Sequence, residues 1–91
     1  SAPRIQAERA PSTRKLSFKQ KHALETLPGK MDELRALAAR IRKELDDPQL
    51  YARDAGRFAK LSDALVKTEG DLAAAEDEWL ELEMLREEIE G

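Results

Sequence analysis

Apolar side chains recur along most of this chain at alternating intervals of three and four residues. The first series comprises Leu24, Leu27, Met31, Leu34, Ala38, Ile41 and Leu45. The second comprises Phe58, Leu61, Leu65, Thr68, Leu72, Ala75, Trp79 and Leu82. This spacing is that of the a and d positions of a heptad, which form one apolar stripe along an α-helix and pack it against a partner helix. The pattern predicts two long helical segments that pack on each other.

Local signals indicate where these helices begin and end. Ser17 and Gln20 match a capping box, in which two side chains satisfy free amides at a helix N-terminus. Pro28 has no amide donor and disfavours helical geometry at the residue before it, so a kink or a restart is expected there. Asp54 can cap the helix that carries the second series. Three helices are therefore predicted, over about 17–26, 28–45 and 55–88.

A short connection joins the two apolar series. Residues 46–54 include Asp47 and Pro48, which end the preceding helix, and leave room for about one helical turn. Such a connection returns the chain directly, whereas a parallel pairing would need a long crossover. The predicted fold is all-α: an antiparallel two-helix coiled-coil hairpin with a short N-terminal helix at the Leu-Pro kink. Because both series lie in one chain, a monomer is expected.

The third predicted helix is nearly twice as long as the second, so its C-terminal part is expected to lie beside the first helix. Phe18 and Leu24 are available to meet Trp79 there. Trp79 is interpreted as a core residue because it lies on the apolar series. In the middle of the hairpin, Arg35 is expected to approach Glu69 across the seam.

Charge is distributed unevenly along the chain, although its net value is only −3. Residues 1–30 carry seven basic and two acidic side chains, whereas residues 69–91 carry one basic and ten acidic ones. In an antiparallel hairpin these two stretches lie side by side, so Lys21 is expected to approach Glu83. The asymmetry therefore favours pairing within the fold, and contact between the basic part and an anionic partner is the alternative.

The first fifteen residues differ in composition from the rest. Residues 1–15 contain two prolines, four basic side chains and no apolar periodicity. A segment of this kind has too little apolar surface to bury, so a disordered basic linker is expected. Residues 16–91 are expected to form the hairpin domain.

Residue types that catalyse reactions or bind metals are scarce. There is no cysteine and no glycine-rich phosphate loop, and the one histidine, His22, has no nucleophile spaced to act with it. Acidic side chains spread along a helix face, whereas hard cations need oxygen atoms that converge. No catalytic site, cofactor or metal is therefore expected in this domain. No apolar run approaches the roughly 20 residues of a membrane span.

Basic side chains near the two ends of the hairpin remain as candidates for binding. They can neutralise phosphates without reading a base sequence, so a nucleic acid is a possible partner. Acidic residues interrupt them, and a solvated helix surface is the alternative. Leu50 and Tyr51 are expected to cover the apolar end of the hairpin, with base stacking as the alternative for Tyr51. The candidate residues are Lys15, Lys19, Lys21, Arg40, Lys43, Arg53, Arg57 and Lys60.

Four short motifs follow one another in an order that is typical of a known family. They are Leu16-Ser17-Phe18-Lys19, Leu27-Pro28, Asp47-Pro48 followed by Tyr51, and Trp79-Leu80-Glu81-Leu82. Together they resemble the C-terminal coiled-coil domain of ABC-F ATPases, closest to the Uup type, over about residues 15–86. The one departure is Phe18, where the family commonly has tyrosine.

The resemblance implies a cytoplasmic parent ATPase without membrane spans, whose two upstream ABC transporter-type cassettes hold ATP and Mg²⁺. It also implies a coiled-coil C-terminal domain linked to DNA binding, in a family that acts around ribosomes and nucleic acids. The predicted function is non-specific binding of DNA or ribosomal RNA by an accessory domain. The alternative is a structural or protein-interaction coiled coil that positions the ATPase cassettes. The family provides no binding residues to carry over, so the candidate residues rest on charge alone.

Overall fold

The computed structural model describes residues 15–91, and three helices follow one another in this part of the chain. Helix α1 spans Phe18–Leu45, α2 spans Leu50–Arg53 and α3 spans Ala55–Glu90. At about 1.5 Å per residue, α3 is about 54 Å long. The predicted linker, apart from Lys15, lies outside the described residues.

The two long helices pack against each other along their predicted seams and run in opposite directions. Every residue of the two apolar series is buried or half-buried. The most buried of them are Leu27, Met31, Ala38, Ile41, Thr68 and Ala75. Most larger side chains of α3 are only half-buried, because a two-helix layer covers each side chain from one direction. The prediction of an all-α antiparallel hairpin is confirmed.

Helix α1 is continuous through Pro28, so the prediction of separate helices over 17–26 and 28–45 is wrong. Proline in a helix interior costs about 3 kcal/mol, because one backbone hydrogen bond is lost and the ring crowds the preceding turn. Leu27 and Met31, on either side of Pro28, are buried in one cluster with Ala75. Burial of a large apolar side chain contributes about 1.5–3 kcal/mol, so this packing offsets the cost of keeping the helix intact.

Both predicted N-terminal caps are present. Ser17 Oγ accepts a hydrogen bond from the Gln20 amide at 3.0 Å, and Gln20 Oε1 accepts one from the Ser17 amide at 2.8 Å. At the start of α3, Asp54 Oδ1 accepts a hydrogen bond from the Arg57 amide at 3.0 Å. These caps satisfy amides that have no partner within the helix.

The base of the hairpin, where α1 begins and α3 ends, differs from prediction in one residue. Phe18 is 85% exposed and stacks on His22, with ring centroids 6.3 Å apart, so it does not meet α3. Counting back from Leu24 in steps of four, the seam instead passes through Gln20 and Leu16, and both are half-buried. Leu16 lies beside Ile89 near the end of α3.

The connection at the other end contains one helical turn, α2, as the sequence allowed. Leu50 is almost fully buried and covers the apolar end of the hairpin, which confirms its predicted role. Tyr51 is 66% exposed, so it contributes much less to this cover than Leu50. The Tyr51 ring meets Phe58 edge to face, with centroids 5.4 Å apart. Successive residues of a helical turn point in different directions, and only one of this pair can face the seam.

The charged pairs across the seam fix its register. Arg35 Nη2 lies 3.1 Å from Glu76 Oε2 rather than beside Glu69, and Glu69 pairs with Arg42. The predicted partner of Arg35 was therefore wrong by one heptad. Glu83 bonds Arg86 of its own helix instead of the predicted Lys21, and this hydrogen bond raises the pKa of Arg86.

Replacing Trp79 with alanine is expected to destabilise the hairpin strongly. The half-buried indole packs against the Leu27–Met31–Ala75 cluster. The free energy of unfolding should fall by about 3 kcal/mol, at the low end for aromatic residues in a core. Urea denaturation followed by circular dichroism measures this change. Phe18→Ala is the matched control and should change stability by less than about 0.5 kcal/mol. Equal effects of the two substitutions would contradict the assignment of Trp79 to the core.

Pro28→Ala is expected to stabilise the hairpin, because it restores the missing backbone donor inside α1. The gain should be about 1–2 kcal/mol once the lost stiffness of the unfolded chain is subtracted. Gly29→Ala provides a neighbouring comparison: no atom lies within 4 Å of the added methyl group, and a gain of about 1 kcal/mol is expected. Unfolding midpoints in urea measure both. A Pro28→Ala variant less stable than the parent would show that the helix depends on the proline.

Candidate nucleic-acid interface

The two sides of the α1–α3 seam differ in how their charges are used. On one side, which we call the paired flank, Arg35 bonds Glu76 and Arg42 bonds Glu69. Arg35 also bonds Asp32 of its own helix at 3.1 Å. Among the described residues, four arginines of the hairpin form ion pairs outside their own helix. Two of them, Arg35 and Arg42, lie on the paired flank one heptad apart.

The opposite side, which we call the open flank, carries a mixed set of residues. It is formed by two heptad series, Lys30, Leu37 and Glu44 of α1 and Arg57, Ala64 and Asp71 of α3. Arg57 bonds Glu44 near the tip, and Lys30 lies beside Asp71 further along. Leu37 and Ala64 occupy the middle of these series, where no charged pair closes the surface. Each helix has a shallow depression on the open flank.

Cations without an ion pair lie at the base of the hairpin and also in the half nearer the tip. Of the candidates predicted from the sequence, Arg40, Lys43 and Lys60 are exposed and make no ion pair with any residue in the range 15–91. Arg40 lines the depression on α1, and Lys60 lines the depression at the start of α3. These three ammonium and guanidinium groups are available to a phosphate.

Lys30 belongs to the same flank, and sequence reasoning missed it. It is exposed, lines the depression that also contains Arg40, and has no ion pair among the described residues. The heptad interval from Lys30 to Leu37 and Glu44 is visible in the sequence. This interval is enough to place Lys30 and Glu44 on the same flank of α1. The ion pairs across the seam were needed to show that this flank is the one with unpaired cations.

Arg53 and Arg57 lie at the tip as predicted, but both are engaged within the fold. Arg53 Nη2 donates to Asp47 Oδ2 at 2.9 Å, and Arg57 bonds Glu44. Asp47 Oδ1 also accepts a hydrogen bond from the Gln49 amide at 2.9 Å. The backbone bond from Gln49, followed by the bond from Arg53, lowers the pKa of Asp47. The guanidinium groups of Arg53 and Arg57 are therefore already bound to carboxylates that stabilise the connection between the two long helices.

The candidates at the base form a separate group. Lys15 and Lys21 lie beside Leu16 and next to Glu90 of α3, and Lys19 is exposed on the first turn of α1. Nineteen residues separate Lys21 from Arg40, which corresponds to about 28 Å along α1. The structure therefore does not bring the base and tip cations into one site.

Tyr51 is the one exposed aromatic side chain of the tip. Its edge-to-face contact with Phe58 occupies only part of the ring. Arg53 lies two residues away and is held against the connection by Asp47. The exposed ring beside basic side chains gives the tip a surface on which a base can stack.

The depressions on the described helices are shallow and open to solvent. No group of three His, Cys, Asp or Glu side chains in residues 15–91 is placed to hold a metal ion. His22 is exposed and stacks on Phe18. None of the three helices is long and apolar enough to cross a membrane.

Comparison with known proteins identifies the family. The model of the ABC transporter C-terminal domain matches residues 15–84, so this chain belongs to that family. The ATP-binding protein Uup of Caulobacter vibrioides is 40% identical over 77 residues, which make up 85% of this chain and 13% of that protein. The ATP-binding protein Uup of Haemophilus influenzae is 37% identical over 83 residues, 89% of this chain and 12% of that protein. The chain thus spans about one eighth of these relatives. No solved structure matches it.

The hydrogen bonds of Asp47 predict a stability difference that depends on pH. Because its folded-state pKa lies below the ordinary value of 3.8, ionised Asp47 stabilises the fold above that pH, and the contribution is lost as the pH falls through the lowered pKa. Asp47→Asn should therefore lower the urea midpoint at pH 7, and the difference from the parent should shrink with acidification below the ordinary value. Asp46→Asn is the control, since Asp46 makes neither bond. A difference that stays constant down to about pH 2 would contradict this role.

Proposed function

We propose that this domain is the C-terminal accessory module of an ABC-F-type ATPase and binds DNA or ribosomal RNA non-specifically through phosphates. The supporting observation is a set of exposed cations that make no ion pair within residues 15–91, three near the tip and one, Lys30, near the middle of α1. Lys30, Arg40, Lys43 and Lys60 are exposed, and the arginines of the paired flank are already neutralised by carboxylates. Cations that lack a protein partner can displace counterions from a nucleic acid backbone.

The distribution of charge restricts where such contact can occur. The last 23 residues carry ten acidic side chains and one basic one, so the end of α3 repels a polyanion. This acidic stretch extends along α3 to Glu90 at the base, where Lys15 and Lys21 lie beside it, whereas Arg40, Lys43 and Lys60 lie toward the tip and away from it. A nucleic acid is therefore expected to contact the tip and the adjoining part of the open flank, with the acidic end of α3 held away from it.

Binding of this kind reads no base sequence. The cations lie along the outer surfaces of two helices and do not present a fixed fork of donors to a base edge, which sequence readout requires. Tyr51 adds a stacking surface that accepts any base. The expected interaction is weak and strongly dependent on salt.

The parent protein follows from the family and is part of the same proposal. Its ATP-binding cassettes would lie outside this chain, bind ATP and Mg²⁺, and perform hydrolysis in the cytoplasm. The names of the two relatives, which describe them as ATP-binding proteins, support this assignment. The hairpin would contribute contact with a nucleic acid and no chemical step.

A second candidate function is a structural or protein-interaction coiled coil that positions the cassettes. The extended form of the hairpin, 65 × 26 × 17 Å, favours it, since a rigid rod holds attached parts at a fixed separation. This function needs no affinity for nucleic acid. A salt-dependent affinity at the tip therefore distinguishes the two candidates.

The test replaces three unpaired cations, Arg40, Lys43 and Lys60, with glutamine. Binding to a labelled duplex of about 20 base pairs and to an RNA hairpin is followed by fluorescence anisotropy over a range of salt concentrations. The variant should bind more weakly, and the slope of log affinity against log salt should fall by about one for each phosphate contact removed. Circular dichroism verifies that the variant remains helical.

The matched control replaces three cations that already have carboxylate partners, Arg35, Arg42 and Lys67. These substitutions, also to glutamine, remove the same charge, but from groups that carboxylates already neutralise, so most of the affinity should remain. If both triple variants lose affinity equally, binding depends on overall charge and the assignment to Arg40, Lys43 and Lys60 is wrong. If the parent chain binds neither nucleic acid at low salt, the structural coiled coil becomes the assigned function.

A further inference from the structure

Helix α3 carries a second apolar stripe that does not face α1. It contains Val66, Ala73, Leu80 and Met84. Val66, Leu80 and Met84 are 72%, 52% and 60% exposed, and Ala73 is exposed as well. These residues recur at intervals of seven and four, so they follow one face of the helix for about 27 Å. Large apolar side chains aligned in this way on a charged helix are typical of a docking surface.

The stripe is nearly symmetric in sequence about Ala73. Val66 and Leu80 lie seven residues before and after it. Two copies of α3 placed antiparallel about a two-fold axis at Ala73 would therefore pair Val66 with Leu80 on both sides of the axis. Met84 would face Ser62, whose small side chain leaves room for the flexible methionine. The small side chain of Ala73 lies at the crossing point, where two helices approach most closely. A surface that matches itself in this way fits an isologous contact.

Charge selects the antiparallel arrangement. Residues 55–73 carry three basic and three acidic side chains, whereas residues 74–91 carry one basic and eight acidic ones. A parallel pair would set the two acidic halves against each other, whereas an antiparallel pair sets each acidic half against a neutral one. Asp77, the one acid within the stripe, would then face Glu69 of the second copy. Glu69 is already bonded to Arg42, which reduces the repulsion between these two carboxylates.

We infer that the outer stripe of α3 binds a second copy of this chain in an antiparallel, two-fold contact centred on Ala73. The contact leaves the α1–α3 hairpin of each copy intact. A contact through one helix face buries less surface than stable interfaces, which bury roughly 1,200–2,000 Å² in total, so the association is expected to be weak. The chain is then a monomer at micromolar concentration, as expected from the sequence, and forms a dimer as the concentration approaches about 1 mM.

Cysteine cross-linking tests the register directly, because the chain has no cysteine of its own. Ala73→Cys should form a disulfide-linked dimer under mild oxidation, since its two copies meet at the axis. Val66→Cys mixed with Leu80→Cys should form the mixed dimer. Val66→Cys alone should not, because its two sulfur atoms would be separated by about 14 residues, or about 21 Å. Ala39→Cys, at an exposed alanine of α1, is the matched control.

Sedimentation equilibrium from about 10 μM to about 1 mM measures the association itself. Leu80→Glu should raise the dissociation constant about tenfold or more, whereas Phe18→Glu, at an exposed apolar residue outside the stripe, should not change it. Higher salt should strengthen association of the negatively charged chains. Cross-linking of Ala73→Cys no faster than Ala39→Cys, or a monomer mass at the highest concentration, would overturn the inference. So would a Leu80→Glu variant that changes thermal stability at the lowest concentration, since the stripe would then serve contacts within one chain.

Discussion

The single layer of side chains between α1 and α3 is the interaction on which the rest of this structure depends. A hairpin of two helices offers no second layer, so few of its side chains are fully covered. Small residues, Thr68 and Ala75, occupy the most buried positions of α3. Close approach there lets Leu27 and Met31 bury themselves. This burial also keeps α1 continuous through a proline that would otherwise interrupt it.

The same seam determines how the charged residues are used. Its register brings Arg35 and Arg42 onto Glu76 and Glu69, and it leaves the opposite flank with an exposed Leu37 between unpaired cations. The asymmetry of charge along the chain then separates an acidic base from a tip that carries available cations. The proposed binding of phosphates at the tip is therefore compatible with packing along the hairpin, because the two use different faces.

The heptad spacing was enough to predict the two seams, the antiparallel topology and the caps at Ser17 and Asp54, since each depends on local geometry. It could not predict continuity through Pro28, which depends on the balance between a local cost and burial against another helix. It also could not predict the partner of Arg35, because a shift by one heptad leaves the apolar pattern unchanged. Available cations at the tip could be proposed from charge, but only the ion pairs distinguish Arg40 and Lys60 from Arg57.

The central claim is an intramolecular seam in one register, and its most direct test is the set of nuclear Overhauser contacts of Trp79. The chain has one tryptophan and two methionines, Met31 and Met84, so the signals can be assigned without ambiguity. In a uniformly labelled sample diluted with unlabelled chain, the indole ring should show contacts with the methyl groups of Leu27 and Met31 within the same molecule. Contacts with Leu34 and Ala38 instead would contradict the register, and contacts that appear only between molecules would contradict the hairpin.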